Sequence, residues 1–165
     1  EGFAPSRSQR RILTLNKNAR GVIGAAEATR EQFDLFVAYQ ESRHGDGSMA
    51  KMDFPDYQAM VEDTPIKTFV IEHRDPSGQL VACALSDVLG DGLSMVYSFF
   101  DPTEARRGLG SFMILDHIQR VAPLGLRYVY LGYWIAEAPK MAYKARFSPL
   151  EFLGRNGWED RPAPG

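Results

Sequence analysis

The chain is poor in the residues from which disulfide frameworks and metal centres are built. It has one cysteine and three histidines in 165 residues, so no internal disulfide can form and no ligand-spaced cluster suggests a metal. Long apolar runs are also missing. No stretch approaches the roughly 18 unbroken apolar residues of a membrane-spanning helix, and the first thirty residues lack the charged, apolar and small-residue succession of a signal peptide. A cytoplasmic setting is the expectation. Positive charge is not in excess: 19 Lys and Arg stand against 21 Asp and Glu, for a formal charge of −2. That balance excludes a uniformly basic nucleic-acid coat and leaves room only for a local patch. Internal repeats, low-complexity tracts and domain linkers are absent. The first residue is Glu1 rather than methionine, which leads to the expectation of a fragment or processed product with a region upstream.

What remains is an ordinary globular composition, 44% apolar and 24% charged, of a size that suits one domain. The stretch from Arg7 to Arg20 carries Arg7, Arg10, Arg11, Lys17 and Arg20 with no acidic residue and is read as a basic N-terminal arm over residues 1–20, joining the missing region. The apolar run Val22 to Ala26 then starts a domain expected over 21–158, with 159–165 as a flexible tail. Thr29 and Gln32 make a capping box for a helix over about 29–43, with Phe33, Phe36, Val37 and Gln40 at helical spacing. A loop with His44 and Asp46 leads to a second short helix from Asp53-Phe54-Pro55. Phe69 to Ile71, Leu80 to Leu89 and Leu93 to Phe100, separated by Asp75-Pro76-Ser77-Gly78 and Gly90-Asp91-Gly92, read as a three-strand antiparallel meander. A helix over about 110–122, a strand over Tyr128 to Tyr133 and a helix over about 139–147 complete the pattern. Cys83, inside Leu80 to Leu85, reads as a buried structural thiol.

The segment Ala105-Arg106-Arg107-Gly108-Leu109-Gly110 lies between a strand and a helix. Glycines there let backbone approach a ligand, and the N–H groups at the helix start favour an anion. A steric turn with no ligand is the equal alternative. The order strand, glycine loop, helix, strand, helix after a meander gives an α/β (α+β) layer fold. It resembles the GCN5-related N-acetyltransferase (GNAT) fold, a mixed sheet flanked by helices. Ala105 stands where that superfamily's signature has Gln or Arg, and Ala142 to Phe147 looks like its Tyr-containing helix ending, with Arg146 in place of glycine.

A closer resemblance covers nearly the whole chain. Ser8-Gln9-Arg10-Arg11, Arg43 to Met49, Ser98 to Pro102, Arg107 to Ser111, Tyr130 to Ile135 and, most specifically, Lys140 to Glu151 look like the bacterial aspartate/glutamate leucyltransferases, relatives of the arginyl-tRNA-protein transferases. Members of that family carry an upstream region with several cysteines that has no counterpart here, so the chain looks like the C-terminal transferase portion.

The resemblance implies an aminoacyltransferase that moves leucine from leucyl-tRNA to the N-terminal Asp or Glu of acceptor proteins, marking them for degradation. Aminoacyl-tRNA and the acceptor protein are its partners, with no cofactor beyond the tRNA co-substrate. Tyr143 is the candidate acid for the departing ribose oxygen, and core packing beside Phe147 is its alternative. His44 oriented by Asp46 is a candidate proton relay, against a surface histidine beside a plain turn. Backbone N–H groups at Phe99 to Asp101 or at Gly108 to Gly110 are candidates for the tetrahedral oxyanion. Arg10, Arg11, Arg106, Arg107, Lys140 and Lys144, with Gly108 and Gly110, form the candidate donor and tRNA site; a solvated basic face is the bland alternative. Arg43 and Arg146, and less specifically Lys51, are candidates to clamp the acidic acceptor side chain. Tyr130, Tyr133 and Trp134 stack a base, line the leucine pocket or simply pack as strand aromatics. An arginyl donor, an acetyl-CoA-dependent N-acetyltransferase and a noncatalytic tRNA- or peptide-binding module stay open. A serine hydrolase from Ser42, His44 and Asp46 lacks a nucleophile elbow.

Overall fold

The computed structural model describes residues 2–44, 47–135, 137–138, 141–155 and 157–160. Its first element corrects the expected arm. Residues Arg7–Leu15 form a helix, α1, started by a capping box in which the Ser6 hydroxyl accepts from Gln9 N–H and the Gln9 side chain accepts from Ser6 N–H. Ile12 and Leu13 turn into the core against a later helix. The arginines therefore ride on the outer face of a docked helix, because the apolar pair needs burial while the guanidinium groups need water.

Strand β1 (Arg20–Ala25) follows, then α2 (Arg30–His44) behind the expected Thr29–Gln32 capping box. Ser48–Lys51 makes a short 3-10 turn, and α3 (Phe54–Glu62) starts at an Asp53 cap with Pro55 in its first turn. The meander appears as β2 (Thr68–Arg74), β3 (Leu80–Val88) and β4 (Gly92–Phe100); a 3-10 segment Pro102–Arg107 leads into α4 (Leu109–Val121), and β5 (Tyr128–Tyr130) is shorter than expected. Instead of a helix over 139–147 there is a 3-10 turn, Ala142–Arg146. A hairpin of β6 (Glu151–Gly154) and β7 (Gly157–Asp160) was not anticipated, and it takes Glu159 and Asp160 out of the expected tail. Its exposed Leu153 and Trp158 break the alternation that marks a half-buried strand.

The five-stranded sheet runs in the order β1-β2-β3-β4-β5, antiparallel throughout except for the parallel pair β4–β5. Strand β3 lies at its centre, covered on both faces, which explains its unbroken apolar run. Cys83 and Leu85 point to one layer, where Phe36 of α2 and Tyr57 and Val61 of α3 pack with Phe99. Ala82 and Ala84 point to the other, against Leu109, Phe112 and Met113 of α4. Small residues on that side let α4 approach closely. Phe36, with no exposed surface, touches the rings of Tyr57 and Phe99 at centroid distances of 5.2 and 5.6 Å; burial of such a side chain contributes about 1.5–3 kcal/mol. Among the described residues no helix is long and apolar enough to cross a membrane.

Candidate active site

The site arises where the sheet splits. β5 pairs with β4 only at Gly92–Tyr128, Leu93–Val129 and Ser94–Tyr130. Gly92 permits that close approach, since a Cβ there would fall 2.5 Å from the Tyr128 carbonyl oxygen. Beyond Ser94 the two segments diverge. On the opposite side, the pairing of β4 with β3 slips between Leu85–Tyr97 and Ser86–Met95, leaving Val96 as an extra, bulged residue. A bulge sharpens the twist of its strand and turns the second half of β4 away from β5. The wedge so opened is a cavity of about 1000 Å³.

Two unlike walls face each other across β4. One is α4, whose first turn, Gly108 to Ser111, opens on the cavity. Gly108 caps this helix in the left-handed region at φ 63°, where glycine is unstrained, and no acidic residue sits in the first turn. Gly108 N–H donates to the Ala105 carbonyl at 3.4 Å, and the N–H groups of Leu109 to Ser111 have no intrahelical acceptor, so they present partial positive charge. Gly110 is close-packed: a Cβ would lie 3.3 Å from Phe100 Cε1 and 3.9 Å from Tyr143 Oη. Ile114, Leu131 and Met141 make this side apolar. The other wall is α2 and the turn after it, with Tyr39, Gln40, Arg43, Ser48 and Met49. The Arg43 guanidinium lies 5.2 Å above the Phe100 ring, and the Tyr39 ring meets the same phenyl at 5.0 Å.

Of the residues anticipated from sequence, Gly108, Gly110, Arg43, Tyr143 and Lys144 all line this cavity. Burial pushes the Tyr143 phenol above its ordinary value, helped by Tyr39 and opposed by the charge on Arg43. It therefore stays protonated, as an acid must. Lys144 is committed to the backbone: its ammonium donates to the carbonyls of Leu131 and Tyr133 at 2.5 and 3.1 Å, and burial lowers its pKa. It braces the segment after β5 against the 3-10 turn.

The remaining expected cations among the described residues do not line the cavity. Arg107 donates through Nε to Asn16 Oδ1 at 3.0 Å, and Asn16 Nδ2 donates to the Arg107 carbonyl, a reciprocal clasp between α1 and the glycine loop. The side chains of Arg106 and Arg146 are exposed outside it. Arg10 donates to the Pro5 carbonyl. Arg7 and Arg11 border a separate shallow depression of about 600 Å³ with Ser6 and Ser8. His44 ends α2, and its side chain, with Asp46 and Lys140, lies outside the described residues.

Within one expected oxyanion source, Asp101 N–H donates to the Val81 carbonyl at 2.9 Å and Phe99 is 1% exposed in the core, while Phe100 lines the cavity. The other expected source, the α4 turn, also opens on the cavity. Sequence reading missed Tyr39, Gln40 and Tyr97 as cavity residues. A signal was present in Gln40, an uncharged polar side chain at a position where the helical period calls for an apolar one. Among the described residues no cluster of His, Cys, Asp and Glu is arranged to hold a metal ion.

Known proteins resemble the chain at two levels. The ribosomal-protein-S18-alanine N-acetyltransferase of Escherichia coli superposes with a TM-score of 0.53 at 17% identity, over 86% of this chain and 89% of that one, which shows a GNAT-like fold. In sequence, the chain is 55% identical over 161 residues to an aspartate/glutamate leucyltransferase of Phenylobacterium zucineum, covering 94% of this chain and 63% of that protein. It is 56% identical over 158 residues to one of Caulobacter vibrioides, covering 93% and 57%. The chain thus spans roughly three-fifths of the length of these relatives. The family model described as the C terminus of arginine-tRNA-protein transferase matches residues 31–154, which run from α2 through β6 and include every described residue that lines the cavity, and the chain belongs to that family.

Proposed function

We propose that this chain is the acyl-transferring part of an enzyme that moves leucine from leucyl-tRNA onto the N-terminal Asp or Glu of a protein, a modification that marks the acceptor for degradation. The observation that carries this reading is the cavity's two-sided chemistry. A helix N-terminus with apolar surroundings occupies one wall and Arg43 the other, with Tyr143 reaching to within 3.9 Å of a Gly110 Cβ position.

The reaction asks little of acid–base chemistry. An N-terminal amine has a reference pKa of about 7.7–8.0, so a useful fraction is neutral near pH 7, and the ester is an activated donor. The amine nitrogen attacks the leucyl carbonyl carbon. The first-turn N–H groups of α4 receive the developing oxyanion, a contribution of the order of 10²–10³ in rate per well-placed donor. As the C–O bond breaks, Tyr143 protonates the ribose oxygen, and the proton released by the attacking nitrogen restores the phenol. An amide and a free tRNA hydroxyl result, with no covalent enzyme intermediate.

Leucine rather than arginine suits the α4 wall. Met95, Ile114, Leu131 and Met141 offer apolar surface, and Asp87, the carboxylate among the described lining residues, already accepts from the Thr68 hydroxyl at 2.6 Å. An arginyl side chain would have Asp87 as its one anionic partner among the described lining residues, whereas a leucyl side chain needs none. Arg43 is the fork for the acidic acceptor side chain. Arg7 and Arg11 on α1 supply phosphate contacts for the tRNA at a distance from the chemistry.

The test is transfer of labelled leucine from leucyl-tRNA to a peptide beginning with Asp, catalysed by the full-length protein, with arginyl-tRNA and acetyl-CoA as competing donors. Leucine transfer is the expected outcome. Preferential arginine transfer would replace the donor assignment, and labelling by acetyl-CoA alone would overturn the reading.

A further inference from the structure

Gln40 is 1% exposed and lies on the α2 wall of the cavity. Its Nε2 is within 2.5 Å of Tyr97 Oη, while its Oε1 is buried with no hydrogen-bond partner among the described residues. Exchanging the amide's oxygen and nitrogen does not remove the vacancy: Tyr97 would then donate to Oε1, and the NH2 would be the group left over. A buried amide in a well-packed fold normally satisfies both ends. No described residue completes this one, and the space beside it is the substrate cavity.

We infer that Gln40 is the residue that binds the acceptor's N-terminal amine, its Oε1 accepting an N–H of the attacking nitrogen. This rests on the aminoacyl-transfer reading above. Gln40 and Arg43 are three residues apart on one helix, so they project from the same face with Cβ atoms about 5–6 Å apart. N-terminal aspartyl and glutamyl residues carry their two polar groups, amine and carboxylate, within a few bonds of each other. Amine on Gln40 and carboxylate on Arg43 matches two groups with two side chains and gives the buried amide its second partner.

The choice of an amide over a carboxylate follows from the nucleophile's needs. An aspartate or glutamate in this place would orient the amine equally well but would favour its ammonium form and raise its pKa, removing the lone pair that attacks. An uncharged oxygen fixes the direction of an N–H without that penalty. Tyr97, whose phenol is pushed up by burial, stays neutral and holds the amide in place.

The experiment uses the full-length protein and two variants, Gln40→Met, which keeps the side chain's length and removes its polarity, and Gln40→Glu. Binding of an Asp-starting peptide and of the same peptide N-acetylated is measured by calorimetry without tRNA, followed by leucine transfer over pH 6–9. The wild type is expected to prefer the free amine, and Gln40→Met to lose most of that preference and about tenfold in kcat/KM with its melting temperature retained. Gln40→Glu is expected to move the rising limb of the kcat/KM profile to higher pH. Unchanged discrimination in Gln40→Met, or, should that variant fail to fold, an unshifted profile in Gln40→Glu, overturns the role of Gln40 while leucine transfer by the wild type stands. If the wild type neither binds the free-amine peptide nor transfers leucine, the functional reading itself falls and this role with it.

Discussion

Replacing Gly110 by alanine separates what the first turn of α4 does for stability from what it does for chemistry. Alanine is favoured over glycine in a helix by about 0.8–1.0 kcal/mol, somewhat less at a first-turn position. Against this stands the contact of the new methyl with Phe100 Cε1 at 3.3 Å, which requires the ring to move by a few tenths of an ångström. Phe100 lines the cavity and has open space on one side, so the cost is a fraction of the propensity gain. The net change lies between about 0 and +1 kcal/mol, which for a domain of this size is a melting temperature unchanged or raised by about 2–4 °C. Activity should move the other way. The methyl enters the gap between the α4 N–H groups, Phe100 and Tyr143, where the ester carbonyl must come to rest. A displacement of about 1 Å from productive geometry costs around 10²-fold, so kcat/KM for leucine transfer should fall by that order. Thermal melting followed by circular dichroism, with steady-state transfer on the same preparation, reads both. An active Gly110→Ala protein would remove α4's first turn from the reaction; a variant that loses stability and activity together would show that Phe100 cannot yield.

Further outcomes follow from the same geometry. Tyr143→Phe should lower kcat by about 10²–10⁴ with a small stability change, and because burial raises the phenol's pKa, the wild-type rate should climb with amine deprotonation near pH 8 and show no alkaline loss below pH 10; equal single-turnover rates for the two proteins would exclude the acid role. Arg7→Gln and Arg11→Gln should each reduce the slope of log affinity for tRNA against log salt by about 0.7–0.9, measured by filter binding, and an unchanged slope would mean that this face of α1 meets no phosphate. His117 gives an acid limb to stability. It is fully buried between Ser86 and the Met113 carbonyl, with Nε2 2.8 Å from the hydroxyl and Nδ1 2.7 Å from the carbonyl oxygen. Burial lowers its pKa, more than the Met113 carbonyl raises it. The unfolded chain, with an ordinary value near 6.5, then binds the proton first, so this contribution is intact above pH 6.5 and is lost as pH falls from there toward the folded value, by up to about 1.4 kcal/mol per pH unit. Urea titrations from pH 7.5 to 5 should show that loss in the wild type and a flatter profile in His117→Gln; identical profiles would contradict it.

Much of the architecture was legible because local rules and tertiary packing agree. The Thr29–Gln32 and Asp53 caps, the turn residues of the meander and the apolar period of α4 each dictate an element, and each element forms within a few residues of its expected bounds. Discrepancies fall where competing demands act. The basic stretch after Ser6 is a helix because Ile12 and Leu13 find a partner surface in α4, a fact no count of arginines contains. The segment after Tyr130 leaves the strand conformation because β4 is bulged at Val96 and turns away. Ala142–Arg146 closes into a 3-10 turn whose Lys144 holds the carbonyls of Leu131 and Tyr133, long-range bonds that no window of sequence reveals.

The site divides along the same line. Sequence alone determined the glycine loop at the start of α4, the presence of Tyr143 and Arg43, and the family, because these rest on residue type and on spacing along the chain. Only the tertiary structure decided which of the described cations meet the cavity, that Arg107 clasps Asn16 instead, and that the Gln40 amide beside the cavity has one end without a partner among the described residues. Those outcomes depend on distances between segments far apart in sequence, set by how a sheet splits between two of its strands, and a side chain's partners are fixed only once the elements that carry them have docked.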